Sequence, residues 1–270
     1  MVKLFSGNLD PKKIRINIIK LAKIGNSVHI ACAFSIVEIL CLLYQEFVKI
    51  DKENLKNPDR DLLCLSKGHG VMALYSIFLE MDLLSVDVFN NYFQDGSILK
   101  GLSDVHVPGV EVSGGSLGHG ICVSVGHAFA LKLKKKSNVV YCIVGDGEMN
   151  EGSVWESLLF AAHNKLDNFF LIIDANGFQA MGECSEVLNC ESFLEKMTSF
   201  CFDAEECDGH SLSKLKISFN KLLTLKNGKP KTIIARTVKG KGISFMEKKN
   251  QWHYTRLTDE MYSKCIRELS

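Results

Sequence analysis

Three short runs of apolar residues, rich in β-branched and aromatic side chains, recur along the chain between segments with helical spacing. The runs occupy residues 139–144, 169–173 and 232–235, and helical spacing occurs over 152–164 and 212–225. Strands that alternate with helices form βαβ units, and a strand that is apolar throughout is typical of a parallel sheet buried on both faces. We therefore predict an α/β fold with a parallel sheet flanked by helices on both faces.

The amino-terminal part of the chain supplies further elements for the same fold. Asp10 and Pro11 have the pattern of an N-cap followed by a proline in the first turn of a helix. Apolar spacing predicts a second helix over residues 33–48. Residues 61–66 read as a short strand that leads to His69.

The composition predicts one globular domain over residues 1–270. Hydrophobic residues make up 46% of the chain and charged residues 23%, which is outside the range of disordered proteins. The 32 basic and 31 acidic residues leave a net charge of +1, so the chain has no bulk field for nucleic acid or an anionic membrane. Residues 1–13 contain no apolar signal core, and polar residues interrupt the most apolar stretch, 30–48.

The ten cysteines include no C-x-x-C pair, so the usual spacing of zinc ribbons and thioredoxin-type sites is absent. Cys32, Cys41, Cys122 and Cys142 lie within apolar stretches, where a free cysteine behaves as a small hydrophobic residue. We expect reduced thiols in a cytoplasmic protein.

Two polar residues directly follow two of the predicted strands. Asp146 lies between two glycines after the first apolar run, and Asn176 precedes Gly177 after the second. Ligands of open α/β sheets bind at the carboxyl ends of the strands, so these two oxygen-bearing side chains can converge on one point. Mg²⁺ prefers oxygen ligands and is commonly shared with a phosphate.

A metal–diphosphate site accounts for this pair. One carboxylate, one amide oxygen, a backbone carbonyl at Phe178, two diphosphate oxygens and one water would complete an octahedron around Mg²⁺. Gly147 lacks a side chain, so its N–H can approach a phosphate. Each dipeptide taken alone is more typical of a turn, but the two together, one crossover apart, favour the metal site.

The common nucleotide-binding loops are absent from the sequence. No G-x-x-x-x-G-K-[ST] occurs, and the glycine-rich segment 114–120, which opens a predicted helix through Ala130, lacks the G-x-G-x-x-G order. A diphosphate bound here therefore uses another kind of loop.

The segment GDGEMNEGSVWESLLFAAHNKLDNFFLIIDANGFQ (145–179) resembles the thiamine diphosphate motif, in which Asn follows Gly-Asp-Gly one crossover later. Four more segments resemble transketolase segments in the same order: GNSVH (25–29), SKGHG (66–70), PGVEVSGGSLGHG (108–120) and ARTVKGKGISFMEKKNQWH (235–253). The resemblance to the transketolase family covers nearly the whole chain.

This resemblance implies a thiamine diphosphate-binding fold, with thiamine diphosphate as the cofactor and Mg²⁺, or Ca²⁺ or Mn²⁺ in its place, as the metal. Asp146, Asn176 and the carbonyl of Phe178 match the metal ligands of the family. His69 and His253 match histidines that contact the diphosphate and the reacting substrate.

Further cofactor contacts follow from the same resemblance. Gly115 and Leu117 match positions that touch the aminopyrimidine and thiazolium rings, and Gly147 and Asn176 belong to the cofactor motif. His29 matches another active-site histidine, which with the two above makes a set of three catalytic histidines.

Full-length transketolases continue with a pyrimidine-binding and a C-terminal domain, which we expect on a separate chain. The resemblance then implies the diphosphate-binding subunit of a split transketolase, which transfers a two-carbon ketol unit between sugars or sugar phosphates. The glutamate that activates the cofactor lies in the pyrimidine-binding domain, so we expect activity only with a partner subunit. Glu151 and Glu156 match interface residues of the family, which implies a homodimer of diphosphate domains within an α₂β₂ assembly.

One segment departs from the family pattern. Many transketolases carry His-Pro shortly before the PGVE segment, whereas residues 101–108 contain no His-Pro, and Asp104 and His106 are the candidates to replace that histidine. Three other interpretations stay open from the sequence. They are the α chain of a 2-oxo acid dehydrogenase, another thiamine diphosphate carboligase such as a deoxyxylulose-phosphate synthase relative, and a non-catalytic interaction subunit.

Overall fold

The computed structural model describes residues 4–50, 52–53 and 55–270. Strands and helices follow one another along the chain in βαβ order. The strands are β1 (Ser27–Val28), β2 (Leu62–Leu65), β3 (Val140–Gly145), β4 (Phe169–Ala175), β5 (Asp203–Asp208), β6 (Lys231–Arg236) and β7 (Thr255–Arg256). The helices are α1 (Pro11–Gly25), α2 (Ala31–Phe34), α3 (Val37–Leu42), α4 (Val71–Glu80), α5 (Val86–Asn90), α6 (His119–Leu133), α7 (Gly152–His163), α8 (Cys184–Val187), α9 (Phe193–Ser199), α10 (Leu212–Thr224) and α11 (Asp259–Leu269).

Five strands form one parallel sheet in the order β2-β3-β4-β6-β5. The register pairs Gly145 of β3 with Asp174 of β4, and Asp174 with Ala235 of β6, so the carboxyl ends of the three central strands lie side by side. The predicted parallel sheet is thus confirmed. No helix within the described residues is long and apolar enough to cross a membrane.

Helices cover both faces of this sheet, as predicted, because alternate residues of the buried strands face opposite cores. Tyr141 and Ile143 of β3 belong to the core that contains α1, α3, α4 and α10, whereas Val140, Cys142 and Val144 belong to the core beneath α6, α7 and α9. The all-apolar strands predicted from the sequence therefore have two buried faces rather than one.

The start of α1 follows its sequence signal. The Asp10 side chain accepts a hydrogen bond from Lys12 N at 3.0 Å, and Pro11 occupies the first helical position. The second predicted helix, over 33–48, is interrupted. It consists of α2, a turn at residues 35–36, α3 and a π-helical turn over Leu43–Phe47. Ser35 lies at the interruption, where its hydroxyl is 2.7 Å from the buried carboxylate of Asp174.

Two features differ from expectation. Strand β5 reads Asp-Ala-Glu-Glu-Cys-Asp and carries no apolar run, because it is the edge of the sheet and its side chains are half-buried or exposed. Cys122 is exposed on α6, so our assignment of this residue as a small buried hydrophobe was wrong. The apolar stretch around it serves one buried and one exposed helix face. All ten cysteines are free thiols, as expected.

Candidate active site

A cavity of about 300 Å³ lies where β2, β3 and β4 end, at the carboxyl edge of the sheet. This is the edge at which parallel α/β sheets bind ligands. Eight residues predicted from the sequence line it: His69, Gly115, Leu117, Asp146, Gly147, Asn176, Phe178 and His253. The structure therefore brings residues from five separate segments of the chain to one place.

Asp146 is only 4% exposed and lies directly after β3. Its two oxygens accept hydrogen bonds from Gly147 N at 2.9 Å and Gly177 N at 2.5 Å. Burial, with the nearby charge of Asp174, raises the pKa of Asp146 to about 7. The site thus holds a carboxylate that gains from a cation bound in place of its proton.

Asn176 lies just beyond β4, and both ends of its amide have fixed partners. Its Nδ2 donates to Asp174 Oδ2 at 3.0 Å, and its Oδ1 accepts from Phe178 N at 3.1 Å. Asn176, Asp146 and Phe178 also line an adjoining hollow of about 420 Å³. The predicted metal ligands are therefore neighbours on one wall, and their role in binding a metal stays a prediction.

Gly147 differs in one respect from expectation. Its N–H donates to the Asp146 carboxylate, and a 3₁₀ turn over Glu148–Asn150, rather than the α-helix itself, follows it. A Cβ at Gly147 would lie 2.5 Å from Gln179 Cβ, so the absence of a side chain is needed for packing. Its contact with a diphosphate stays a prediction.

A buried carboxylate holds the glycine-rich loop in place. Glu148 is 2% exposed, and it accepts hydrogen bonds from Ser66 Oγ at 2.5 Å, Gly118 N at 2.9 Å and Gly145 N at 3.2 Å. These contacts join the ends of β2 and β3 to the loop that carries Gly115 and Leu117. Gly115 has a φ of +123°, and a Cβ there would lie 2.5 Å from Leu102 Cδ1, so a glycine is required.

Beneath the cavity lies an ion pair that the sequence did not reveal. Asp174 is fully buried at the end of β4, and its carboxylate contacts Lys67 Nζ, Ser35 Oγ, Asn176 Nδ2 and Thr237 Oγ1. Lys67 is 6% exposed and lines the cavity. The sequence placed Asp174 in the loop after the strand, and only the observed length of β4 puts it in the core.

Lys239 is a second cavity residue that the sequence did not reveal. It is 1% exposed, and its ammonium donates to Asn250 Oδ1 at 2.6 Å and Gln179 O at 3.3 Å. Burial, reinforced by the charge of Lys67, lowers the pKa of Lys239 to about 8. No carboxylate within the described residues forms an ion pair with it, so this cation is available to an anion. The only signal in the sequence was its place in the segment 235–253, which resembles a transketolase segment.

The three predicted histidines form a cluster at the mouth of the cavity. The ring centroids of His29 and His69 are 4.4 Å apart, those of His29 and His253 are 5.3 Å apart, and those of His69 and His253 are 6.4 Å apart. Burial lowers the pKa of all three, to about 4 for His29 and about 3 for His253. All three imidazoles are therefore uncharged at neutral pH, and each offers one donor and one acceptor.

Backbone pairing brings two of these histidines together from opposite ends of the fold. Strand β1 precedes His29 and pairs antiparallel with β7, which follows His253, through Ser27↔Arg256 and Val28↔Thr255. His69 comes instead from the 3₁₀ turn over Gly68–Gly70 after β2.

The structure does not bring Asp104 or His106 into the cavity. The two side chains pair with each other at 2.6 Å, and the His106 side chain is 83% exposed. Hydrogen bonds from the His106 backbone and ring lower the pKa of Asp104. Glu151 and Glu156, the predicted interface residues, are exposed around the start of α7.

A parallel sheet with a cationic cavity and a buried Asp–Asn pair at its carboxyl edge defines an α/β domain of the thiamine diphosphate-binding class. Residues 10–269 match the family described as transketolase, thiamine diphosphate binding domain. The chain belongs to the transketolase family, whose members are transferases.

Relatives of similar length are subunits of split enzymes. A subunit of the apulose-4-phosphate transketolase of Phocaeicola vulgatus is 36% identical over 262 residues, which cover 97% of this chain and 93% of that protein. The 6-deoxy-6-sulfo-D-fructose transketolase subunit SqwG of a Clostridium species is 34% identical over 251 residues, covering 93% and 90%. The chain is thus similar to the amino-terminal subunits of split transketolases.

Solved transketolases share the fold. The enzyme from Leishmania mexicana superposes with a TM-score of 0.88 at 26% identity over 96% of this chain, and that from Campylobacter jejuni with 0.86 at 27% over 97%. This chain spans 40% and 43% of those two proteins. The family match favours a transketolase over the 2-oxo acid dehydrogenase and other carboligase alternatives.

Proposed function

We propose that this chain is the diphosphate- and metal-binding subunit of a split transketolase, which transfers a two-carbon ketol unit between sugar or sugar phosphate substrates. The observation that carries the proposal is the single cavity that Asp146 and Asn176 share with His69 and His253. Oxygen ligands for a divalent cation and neutral histidines for sugar hydroxyls thus lie within reach of one bound molecule.

The residues of the cavity fit thiamine diphosphate with a divalent cation. Asp146, Asn176 and the Phe178 carbonyl would hold the cation, and their oxygen chemistry suits Mg²⁺, Ca²⁺ or Mn²⁺. Lys239 supplies a positive charge without a carboxylate partner for the diphosphate. Two buried polar atoms in the cavity wall, His253 Nδ1 and Gln179 Nε2, have no hydrogen-bond partner within the described residues. Such unsatisfied atoms are costly unless a ligand pairs with them.

When bound, thiamine diphosphate supplies the electron sink that breaking and forming a bond beside a carbonyl requires. The chain's own residues bind and orient. His29, His69 and His253 are uncharged at neutral pH, so each can accept a proton from a substrate hydroxyl at one ring nitrogen while donating at the other. Their clustering around one opening supports a common substrate rather than three separate structural roles.

A partner subunit with the pyrimidine-binding domain is part of this proposal. The names of two relatives describe subunits of transketolases, and both relatives match this chain over nearly their whole length. The glutamate that activates the cofactor in the family would come from that partner. The two relatives are named for different sugars, so the sugar that this enzyme uses is open to substrate screening. The ten free thiols support a reducing compartment such as the cytoplasm.

An exposed apolar face supports the homodimer of diphosphate domains. Val123 and Leu133 of α6 and Leu159 and Phe160 of α7 are 42–67% exposed. The rings of Phe129 and Phe160, 5.2 Å apart, join the two helices into one surface. Contiguous exposed apolar surface of this kind is typical of protein–protein interfaces.

The predicted interface glutamates adjoin this face. Glu151 precedes α7 and Glu156 lies in its second turn, and both are exposed. In a symmetric dimer each pair of like carboxylates would approach its copy, so we propose that a shared proton or water lies between them.

The decisive experiment combines a purified pyrimidine-domain protein with this chain and measures ketol transfer over a panel of donor and acceptor sugars. We expect turnover only when both subunits, thiamine diphosphate and a divalent cation are present. Turnover by this chain alone would refute the split-enzyme proposal. Failure of calorimetry to detect cofactor binding, with or without the partner, would support the non-catalytic alternative.

A further inference from the structure

Lys239 needs an anchor, because a lysine side chain has four rotatable bonds and no intrinsic preference for one position. It lies on the segment that leaves the sheet after β6. Thr237 holds the start of this segment through Asp174, and Gly240 N donates to Ala31 O at 3.0 Å. Two further residues of the segment, Val238 and Lys241, are held from the side away from the cavity.

His210 holds Val238. The backbone N–H of Val238 donates to His210 Nε2 at 2.8 Å. His210 lies in the turn between β5 and α10, and this turn packs tightly on the same segment. Gly209 N donates to Arg236 O at 2.8 Å, and a Cβ at Gly209 would lie 2.4 Å from Thr237 Cγ2.

Glu38 determines which nitrogen of His210 accepts. His210 Nδ1 lies 2.9 Å from Glu38 Oε2, and an ionised carboxylate can only accept, so the proton of the neutral ring is on Nδ1. Nε2 is then the acceptor that the Val238 N–H requires. Burial opposes the ionisation of Glu38, but hydrogen bonds from His210 and Arg15 outweigh it and lower the pKa of Glu38.

Arg15 closes the arrangement. Its two terminal nitrogens contact Glu38 at 2.7 and 2.9 Å, while its Nε donates to Lys241 O at 2.9 Å. A continuous chain of contacts thus runs from Val238 through His210, Glu38 and Arg15 to Lys241, and Lys239 lies between its two ends. The side chains of His210, Glu38 and Arg15 are 13%, 10% and 7% exposed.

We propose that His210, oriented by Glu38 and Arg15, is a positioning residue that fixes the Val238–Lys241 segment and thereby holds the Lys239 ammonium for an anionic ligand. The inference rests on the proposed function in one respect, since it takes the diphosphate of the cofactor as that anion. A histidine that served packing alone would not need a fixed acceptor on the segment that carries Lys239.

Two substitutions separate the positioning role from packing. In His210→Gln the amide oxygen can reach the position of Nε2 and accept from Val238, whereas the shorter His210→Asn keeps only a donor for Glu38. We measure the hydrogen exchange rate of the Val238 amide in the full chain without cofactor, and then the affinity for magnesium thiamine diphosphate in the presence of the partner subunit. His210→Asn should speed the exchange and weaken cofactor binding by roughly tenfold, as expected when a buried donor loses its partner. His210→Gln should restore both to within about threefold of the parent chain.

The outcomes are distinct. Equal values for both variants, whether both resemble the parent or both are equally impaired, would overturn the positioning role. If His210→Asn fails to fold, Glu38→Gln keeps the size of the side chain but removes the charge that holds the proton on Nδ1, and it should give the same faster exchange. If the parent chain binds no cofactor, the proposed function fails, while the exchange of Val238 still decides the positioning role.

Discussion

Asn176 Nδ2 donates a hydrogen bond to Asp174 Oδ2 at 3.0 Å, and this contact fixes the direction in which the Asn176 amide points. Because a carboxylate accepts and does not donate, the NH₂ group must face Asp174 and the amide oxygen must face away from it. A residue buried beneath the cavity thus orients a candidate metal ligand. Outer contacts of this kind commonly determine how well a site holds its metal.

Removing the candidate metal ligands should weaken cofactor binding. Asp146→Ala deletes the only charged ligand of the set, and we expect the metal-dependent affinity for thiamine diphosphate to fall by at least about 100-fold, a typical upper cost of disturbing a metal site. Asn176→Ala removes a neutral oxygen and should act in the same direction less severely. Calorimetric titration with and without Mg²⁺ measures both, and Asp167→Ala, a surface aspartate paired with Lys132, is the control. Unchanged affinity in both variants would overturn the metal assignment.

Breaking the buried pair of Lys67 and Asp174 should destabilise the fold. Lys67→Met leaves a fully buried carboxylate without its cation, which typically costs about 3–5 kcal/mol. Urea denaturation of the chain measures this loss in the free energy of unfolding. The double variant Lys67→Met/Asp174→Asn removes both charges and should be less destabilised than Lys67→Met. If the double variant is worse than either single one, the pair is not the source of the effect.

The histidine cluster should be required for turnover rather than for folding. His69→Ala and His253→Ala remove groups that can exchange protons with substrate hydroxyls, and we expect kcat to fall by roughly 10²-fold or more. Circular dichroism should be unchanged, since both side chains border a cavity. His163→Ala, an exposed histidine at the end of α7, is the control. Loss of soluble protein in the two cavity variants would indicate a structural role instead.

Lys239 predicts a pH dependence of cofactor affinity. With a pKa of about 8 in the free chain, its amine is cationic below pH 8 and loses its charge as the pH rises. Affinity for the diphosphate should therefore be constant up to about pH 8 and then fall, by at most about tenfold per pH unit. Lys239→Arg keeps its charge throughout this range, so its affinity should not show the step. Parent and variant curves of the same shape would exclude Lys239 as the source.

The exposed face of α6 and α7 should mediate self-association. The parent chain should sediment at twice its mass, with an interface above about 2,000 Å² if the dimer is obligate. Phe160→Asp places a charge within this face and should yield monomers. Ile217→Asp makes the same change at an apolar residue that is 68% exposed on α10, and it should leave the dimer intact. A parent chain that stays monomeric with its partner and cofactor would exclude the homodimer.

The parts of the fold that the sequence revealed are those in which local pattern and burial agree. Strands β3 and β4 are apolar along their whole length because both of their faces are covered, and their carboxyl ends were therefore predictable. The edge strand β5 lacks that pattern because it is only partly covered. Lys67 and Asp174 were not predictable as partners, since only the register of the sheet and the turn after β2 bring them together.

The pairing of β1 with β7 also has a consequence for the order in which the protein matures. His29 and His253 are separated by most of the chain, and the two-residue ladder that brings them together can form only after the sheet between them has been built. Contacts between distant parts of a chain carry the largest loop-closure cost. During synthesis the phosphate end of the cavity can therefore take shape first, whereas the histidine cluster waits until nearly the last residues have emerged.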